Sequence, residues 1–172
     1  MKHKRTLFSV AALTLMASSP QIHAMNYKPY MKKLTALAKT ENSKAPFAAM
    51  IINNTTGKVL CQGVNNSSKN PTLHGEIAAI NSCSNKYGRN MDWKNTTLIT
   101  TAEPCPMCMS AIIWADMPKV VYGTSIKTLS EHGWNQIDIS AEEVADKQNF
   151  NKIKITGGVL SNSTDKLFYQ GK

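Results

Sequence analysis

Pro71-Thr72-Leu73-His74-Gly75-Glu76-Ile77 and, some thirty residues later, Glu103-Pro104-Cys105-Pro106-Met107-Cys108 decide the reading of this 172-residue chain. Each stretch opens an apolar segment of helical character: Ile77, Ala78, Ala79 and Ile80 follow the first, and Ala111, Ile112 and Ile113 follow the second. The first segment ends near Tyr87-Gly88, where glycine suits a helix C-terminus. His74 and Glu76 then fall in the opening turn. Residues two apart inside a regular helix point to nearly opposite sides, so only at that open turn can both reach one cavity. Pro106 suits the first turn of the second helix, which places Cys105 and Cys108 one turn apart on the same side. The positive helix ends favour carboxylate and thiolate there.

One histidine and two cysteines form a three-ligand set for tetrahedral zinc. The fourth position is left to water, which separates a catalytic zinc site from a closed structural one. Glu76 is not needed as a ligand. A carboxylate beside a metal-activated water can take its proton and return it to a leaving amine. Two other readings of the cysteines exist. Cys105 and Cys108 can pair as a redox C-x-x-C motif, which the upstream His and Glu and the flanking prolines disfavour. They can also belong to a structural zinc site, which normally recruits a fourth protein ligand.

Outward from these stretches, the β-branched run Thr96–Thr101 predicts a strand leading into the cysteines, and Lys119–Gly123 predicts the next. Strand, helix, strand, helix, strand in succession implies parallel pairing. Upstream, Phe47–Ile52 and Lys58–Val64 flank Asn53-Asn54-Thr55-Thr56-Gly57 and read as a β-hairpin. The first of these runs is apolar on both faces, as in a strand covered on each side by helices. Tyr30, Leu34, Leu37 and Ala38 recur at helical spacing after Pro29 and predict a helix over Pro29–Thr40. Beyond Thr124 the pattern weakens. Leu129–Asn135 reads as a turn or short helix, Ser140–Lys147 as a capped helix and Lys152–Thr156 as a last strand. Val159–Phe168 reads as a short helix or an extended tail.

Lys2, Lys4 and Arg5, the uncharged run Leu7–Ala17 and the small residue closing Ile22-His23-Ala24 have the three-part build of a secretory signal peptide over residues 1–24. The run is too short and wrongly flanked for a spanning helix, and the remaining chain carries no candidate span. Residues 25–172 then form one domain, exported to the periplasm or beyond. Setting aside the leader's three basic residues lowers the net charge from +9 to +6. The remaining lysines are spread along the chain without a patch or interleaved aromatics, which argues against a nucleic-acid partner. In an exported chain Cys61 and Cys83 are buried thiols or a bridge, and their spacing does not choose between the two.

The stretches quoted above resemble the cytidine/deoxycytidylate deaminase superfamily. Within it, Ala111-Ile112-Ile113-Trp114-Ala115, Pro46-Phe47 and Val64-Asn65-Asn66 most resemble the bacterial guanine deaminase branch. The resemblance covers roughly residues 30 to 137. It implies a three-layer α/β/α sandwich with a five-stranded mixed sheet, commonly a homodimer, with one Zn²⁺ per chain. His74, Cys105 and Cys108 become the metal ligands and Glu76 the proton shuttle. Asn65 becomes a hydrogen-bonding contact to the base and Trp114 a flank of its pocket, with Phe47 on the strand at the pocket floor. Asn65 also reads as a plain turn residue, and Trp114 and Phe47 also read as core. Phe168 and Tyr169 become candidates for a C-terminal lid.

The implied activity is zinc-dependent hydrolytic deamination of a free purine base or nucleoside. A tRNA adenosine deaminase, a cytosine or cytidine deaminase and a zinc-stabilised secreted interaction protein are the alternatives. Two departures from the branch stand out. Gly75 replaces the usual Ala or Cys between His and Glu. Trp134-Asn135-Gln136 stands where guanine deaminases carry a phenylalanine and acidic residues, one of which handles the base. An amide both donates and accepts where a carboxylate only accepts, so Trp134 and Gln136 join the candidate substrate contacts and the preferred base is expected to differ from guanine.

Overall fold

In chain order the elements are α1 (Lys28–Glu41), β1 (Ala48–Asn53), β2 (Val59–Val64), α2 (Gly75–Tyr87), β3 (Thr96–Ala102), α3 (Pro106–Trp114), β4 (Lys119–Thr124), α4 (Ile126–Glu131), α5 (Ala141–Asp146), β5 (Lys154–Thr156) and α6 (Ser161–Thr164), joined by turns and short 3₁₀ segments. The structure, a computed structural model, describes residues 25–169. The leader assigned to residues 1–24 lies outside the described residues. Among those described, no helix is long and apolar enough to cross a membrane.

β1 shows why the layers form. Its even-numbered residues Ala48, Met50 and Ile52 pack with Met31, Leu34 and Ala38 of α1. Its odd-numbered residues Ala49 and Ile51 pack in a second cluster with Ala79 and Cys83 of α2 and with Met109 and Ile112 of α3. The two-residue period of a strand thus sends alternate side chains into two cores, and a run apolar on both faces becomes the middle of a three-layer α/β/α sandwich. The five-stranded sheet has the order β2-β1-β3-β4-β5. β1 is antiparallel to β2 and β3, while β3, β4 and β5 run parallel. β3 is buried along its whole length and delivers the chain directly to Glu103-Pro104-Cys105.

The less regular C-terminal third differs in detail from expectation. The helix expected within 129–135 starts earlier, at Ile126, because the Ser125 hydroxyl caps it by accepting from Thr128 N. α5 opens on a reciprocal capping box between Ser140 and Glu143. β5 is three residues long and parallel to β4. The tail is helical rather than extended up to Phe168, whose side chain is fully buried.

Two features fix α2, the helix that opens on the first motif. At Gly75 a β-carbon would stand 2.9 Å from Phe47 O and 3.0 Å from Ala48 Cα. Glycine therefore lets the start of α2 lie against the β1 backbone, which accounts for its presence in place of a larger residue. At the other end, Cys83 is joined to Cys61 of β2 as a disulfide with a Cα–Cα distance of 5.5 Å. The bridge closes a sequence separation of 22 residues, which should stabilise the fold by about 3 kcal/mol on loop-entropy grounds. Equilibrium urea unfolding of the Cys61→Ala/Cys83→Ala protein against the wild type should show that loss.

Candidate active site and metal centre

The metal-ligand candidates meet because two helices begin at the same place. His74 is the N-cap residue of α2 and Cys105 that of α3, both in extended conformation, with Cys108 in the first turn of α3. His74 Nδ1 lies 3.6 Å from Cys105 Sγ and 3.6 Å from Cys108 Sγ. The three donor atoms all fall within 4.8 Å of one another. Tetrahedral zinc with Zn–N and Zn–S lengths near 2.0 and 2.3 Å sets nitrogen and sulfur about 3.6 Å apart, so the donor set fits that ion.

The protonation pattern suits a metal. A hydrogen bond from Cys108 holds the Cys105 thiol down at about 4. The same hydrogen bond, with burial, pushes Cys108 up. His74 is raised above its ordinary value chiefly by its hydrogen bond to Cys105. One thiol is held low and the other high, and a divalent cation bound here would displace the proton left on Cys108.

Glu76, in the first turn of α2, is 5% exposed. Its Oε1 accepts from Thr100 Oγ1 of β3 at 2.9 Å, and burial, the largest influence, raises its carboxyl above the ordinary range. A cavity of about 190 Å³ opens onto His74, Cys105 and Glu76. Phe47, Asn65, Ser67, Glu103, Trp134, Asn135 and Gln136 supply most of its remaining walls. The backbone N–H of Asn65 donates to Phe47 O at 2.8 Å, and its side-chain amide donates to Ser67 Oγ at 3.1 Å. The residue therefore shapes a turn and faces the cavity at once.

Trp134 is a wall whose polar edge is occupied. Its Nε1 donates to Phe168 O at 2.8 Å, and its ring stands edge-on to Phe47, with centroids 5.1 Å apart. Phe168 packs on Phe47 at 4.8 Å. It thus buttresses the wall of its own chain from behind and does not line the cavity. Tyr169 is exposed and packs against the His132 ring at 4.6 Å.

Trp114 is not brought to this cavity. It is 77% exposed and packs on Phe150 at 4.9 Å, in a separate surface groove with Ile113, Ile139 and Val144. The reason is helical rise. α3 carries the ligand candidate Cys108 in its first turn and Trp114 at its last residue, and at about 1.5 Å per residue the six-residue rise carries it roughly 9 Å along the helix from Cys108. Asn135 lines the cavity with the rest of the Trp134–Gln136 segment, and Ser67 lines it without any signal in the sequence. Glu103 does too, and its only sequence signal was its place in the cysteine motif.

With this geometry in hand, comparison with known proteins defines the class. Residues 25–124 match the model of the cytidine and deoxycytidylate deaminase zinc-binding region. The chain belongs to this deaminase family. It is 34% identical over 131 residues to a guanine deaminase of Bacillus subtilis (strain 168), covering 69% of this chain and 81% of the relative. It is equally 34% identical over 146 residues to a tRNA-specific adenosine deaminase of Buchnera aphidicola subsp. Baizongia pistaciae (strain Bp), covering 81% and 84%. The solved structure of guanine deaminase from Nitrosomonas europaea superposes with a TM-score of 0.71 at 20% identity, covering 91% of this chain and 94% of that one. That likeness identifies the fold as cytidine deaminase-like.

Proposed function

We propose that the protein is a zinc-dependent hydrolytic deaminase of a free purine base or nucleoside. The observation that carries this reading is the cavity beside the metal centre. Its volume is about 190 Å³, its aromatic walls are Phe47 and Trp134, its polar lining includes the amides of Asn65, Asn135 and Gln136, and among the described residues no lysine or arginine lines it. Aromatic edges and amides suit an uncharged heterocycle with mixed donors and acceptors. A polynucleotide substrate would call for cations to neutralise its phosphates, and the lining supplies none, which favours the free base over tRNA.

His74, Cys105 and Cys108 would hold the zinc. When bound, it supplies a water activated for attack at neutral pH and leaves one position open for it. The chain's own residues handle the proton. Thr100 holds one oxygen of Glu76, fixing the carboxylate at the cavity. The other oxygen takes a proton from the attacking water and passes it to the ring nitrogen beside the amine-bearing carbon. It then takes the remaining proton from the hydroxyl now on that carbon and delivers it to the amine, which departs as ammonia as the carbon–nitrogen bond breaks and the ring carbon becomes a carbonyl. A buried carboxyl with a raised affinity for protons is suited to holding one between these transfers.

The leader-like residues 1–24 and the Cys61–Cys83 disulfide both support export to an oxidising compartment. The exposed Trp114, Ile139 and Phe150 support a homodimer that covers this apolar face, since a solvent-facing tryptophan in such a patch marks a contact surface. Ammonia release from guanine, adenine, cytosine and their nucleosides, with light scattering on the same sample, tests the reading. Turnover of a purine by a dimer is expected. Turnover of cytosine or cytidine alone would replace the substrate class, and turnover of none of them would remove the small-molecule reading.

A further inference from the structure

Glu103 takes no part in the proton transfer, yet it is 6% exposed and lines the cavity. Its two oxygens accept from two different elements. Ile126 N donates to Oε2 at 2.9 Å and Ala141 N donates to Oε1 at 2.8 Å. Ile126 is the first residue of α4 and Ala141 the first of α5. One carboxylate therefore pins both ends of the 126–141 segment to the end of β3. Between those anchors the chain passes through α4 and then carries Trp134, Asn135 and Gln136 across the cavity.

That crossing has few other ties. Trp134 is held by its own N–H to Leu129 O and by Nε1 to Phe168 O. Among the described residues, no hydrogen bond joins residues 135–138 to another element. Asn135 and Gln136 hold their positions because the segment is anchored at Ile126 and Ala141. Glu103 also stands two residues before Cys105, so one short stretch carries both the anchor and a metal ligand.

We propose that Glu103 is a positioning residue that sets the Trp134–Gln136 wall in register with the metal centre and so governs affinity for the base. The claim rests on the reading above, in which that wall contacts the substrate. Glutamine at this position keeps the length but can accept with only one oxygen, and its amide nitrogen would face a backbone donor. Loss of one charge-assisted hydrogen bond is enough for a change of about tenfold or more.

The test uses the zinc-loaded protein and its Glu103→Gln variant, with guanine as probe and two readouts. Hydrogen exchange across residues 126–141 should quicken about tenfold at the two anchored amides. KM for guanine should rise about tenfold while kcat changes less than about twofold and zinc content is unchanged. Ala141→Pro supplies a second route: it removes one donor at a helix-opening position that tolerates proline, leaves Glu103 in place, and should raise KM in the same way. Unchanged exchange in Glu103→Gln would overturn the proposal, as would lost zinc or kcat at constant KM, which would place the effect on Cys105. If the wild type does not turn over guanine, KM is read with the purine it does turn over; if it turns over none, the substrate reading fails by itself, and the exchange measurement still decides for or against the anchor.

Discussion

Replacing Glu76 with glutamine should lower deamination by about a thousandfold while leaving zinc content and thermal stability near wild type. The side chain is almost fully buried and its one described hydrogen bond comes from Thr100. Glutamine has the same shape, and its carbonyl oxygen can accept that hydroxyl, so the packing survives. What is lost is the capacity to take a proton, and positioned acid–base groups contribute about 10²–10⁴ in rate. Glu76→Ala is a poorer test, because it also leaves the Thr100 hydroxyl unpaired in the interior at a cost of about 1–3 kcal/mol. Ammonia release alongside zinc analysis of Glu76→Gln separates chemistry from folding. Full activity in that variant would remove the proton-shuttle role.

The second large effect concerns the ligands. Cys108→Ala should reduce bound zinc from one per chain to less than about a tenth, since a three-ligand site deprived of one thiolate keeps only a weak pair. Activity should fall with it. The metal-free wild-type protein offers a check that does not use turnover. With Cys105 held at about 4, that sulfur is a thiolate at pH 6 and should be alkylated by iodoacetamide, while Cys108, pushed up and buried, should not. Saturating zinc should protect Cys105. Peptide mass spectrometry locates the label, and labelling of both thiols at equal rates would contradict the assigned protonation.

The meeting of His74, Cys105 and Cys108 was legible in the sequence because its geometry is local. His74 and Cys105 each precede a helix, and the start of a helix is a short-range property of glycine, proline and capping chemistry. β1 was legible for the same reason, its two-sided apolar pattern reporting two covering layers. The pocket was less so. Trp114 sits in the uniformly apolar segment Ala111–Ala115, which has no polar residue to show which face is exposed, and the helix carries it away from His74, Cys105 and Cys108. Glu103 finds its partners 23 and 38 residues downstream, and such a tie leaves no mark in local composition. The bridge between Cys61 and Cys83 depends on how β2 lies beside α2, which spacing alone does not specify.

Trp134, by contrast, was singled out as a residue differing from its relatives, and it does line the cavity. Its indole N–H is already given to Phe168 O, so the hydrogen bonding of the pocket falls to neighbouring amides. Asn65, Asn135 and Gln136 are therefore the residues whose exchange should alter the choice of base without altering zinc binding.

The most direct test of the account is ammonia release by the zinc-loaded protein from a panel of purine and pyrimidine bases and nucleosides, run beside Glu76→Gln. The wild type should release ammonia from a purine, and Glu76→Gln should release none at equal zinc content. Zinc-loaded protein that releases ammonia from none of them, or a variant as active as the wild type, would contradict it.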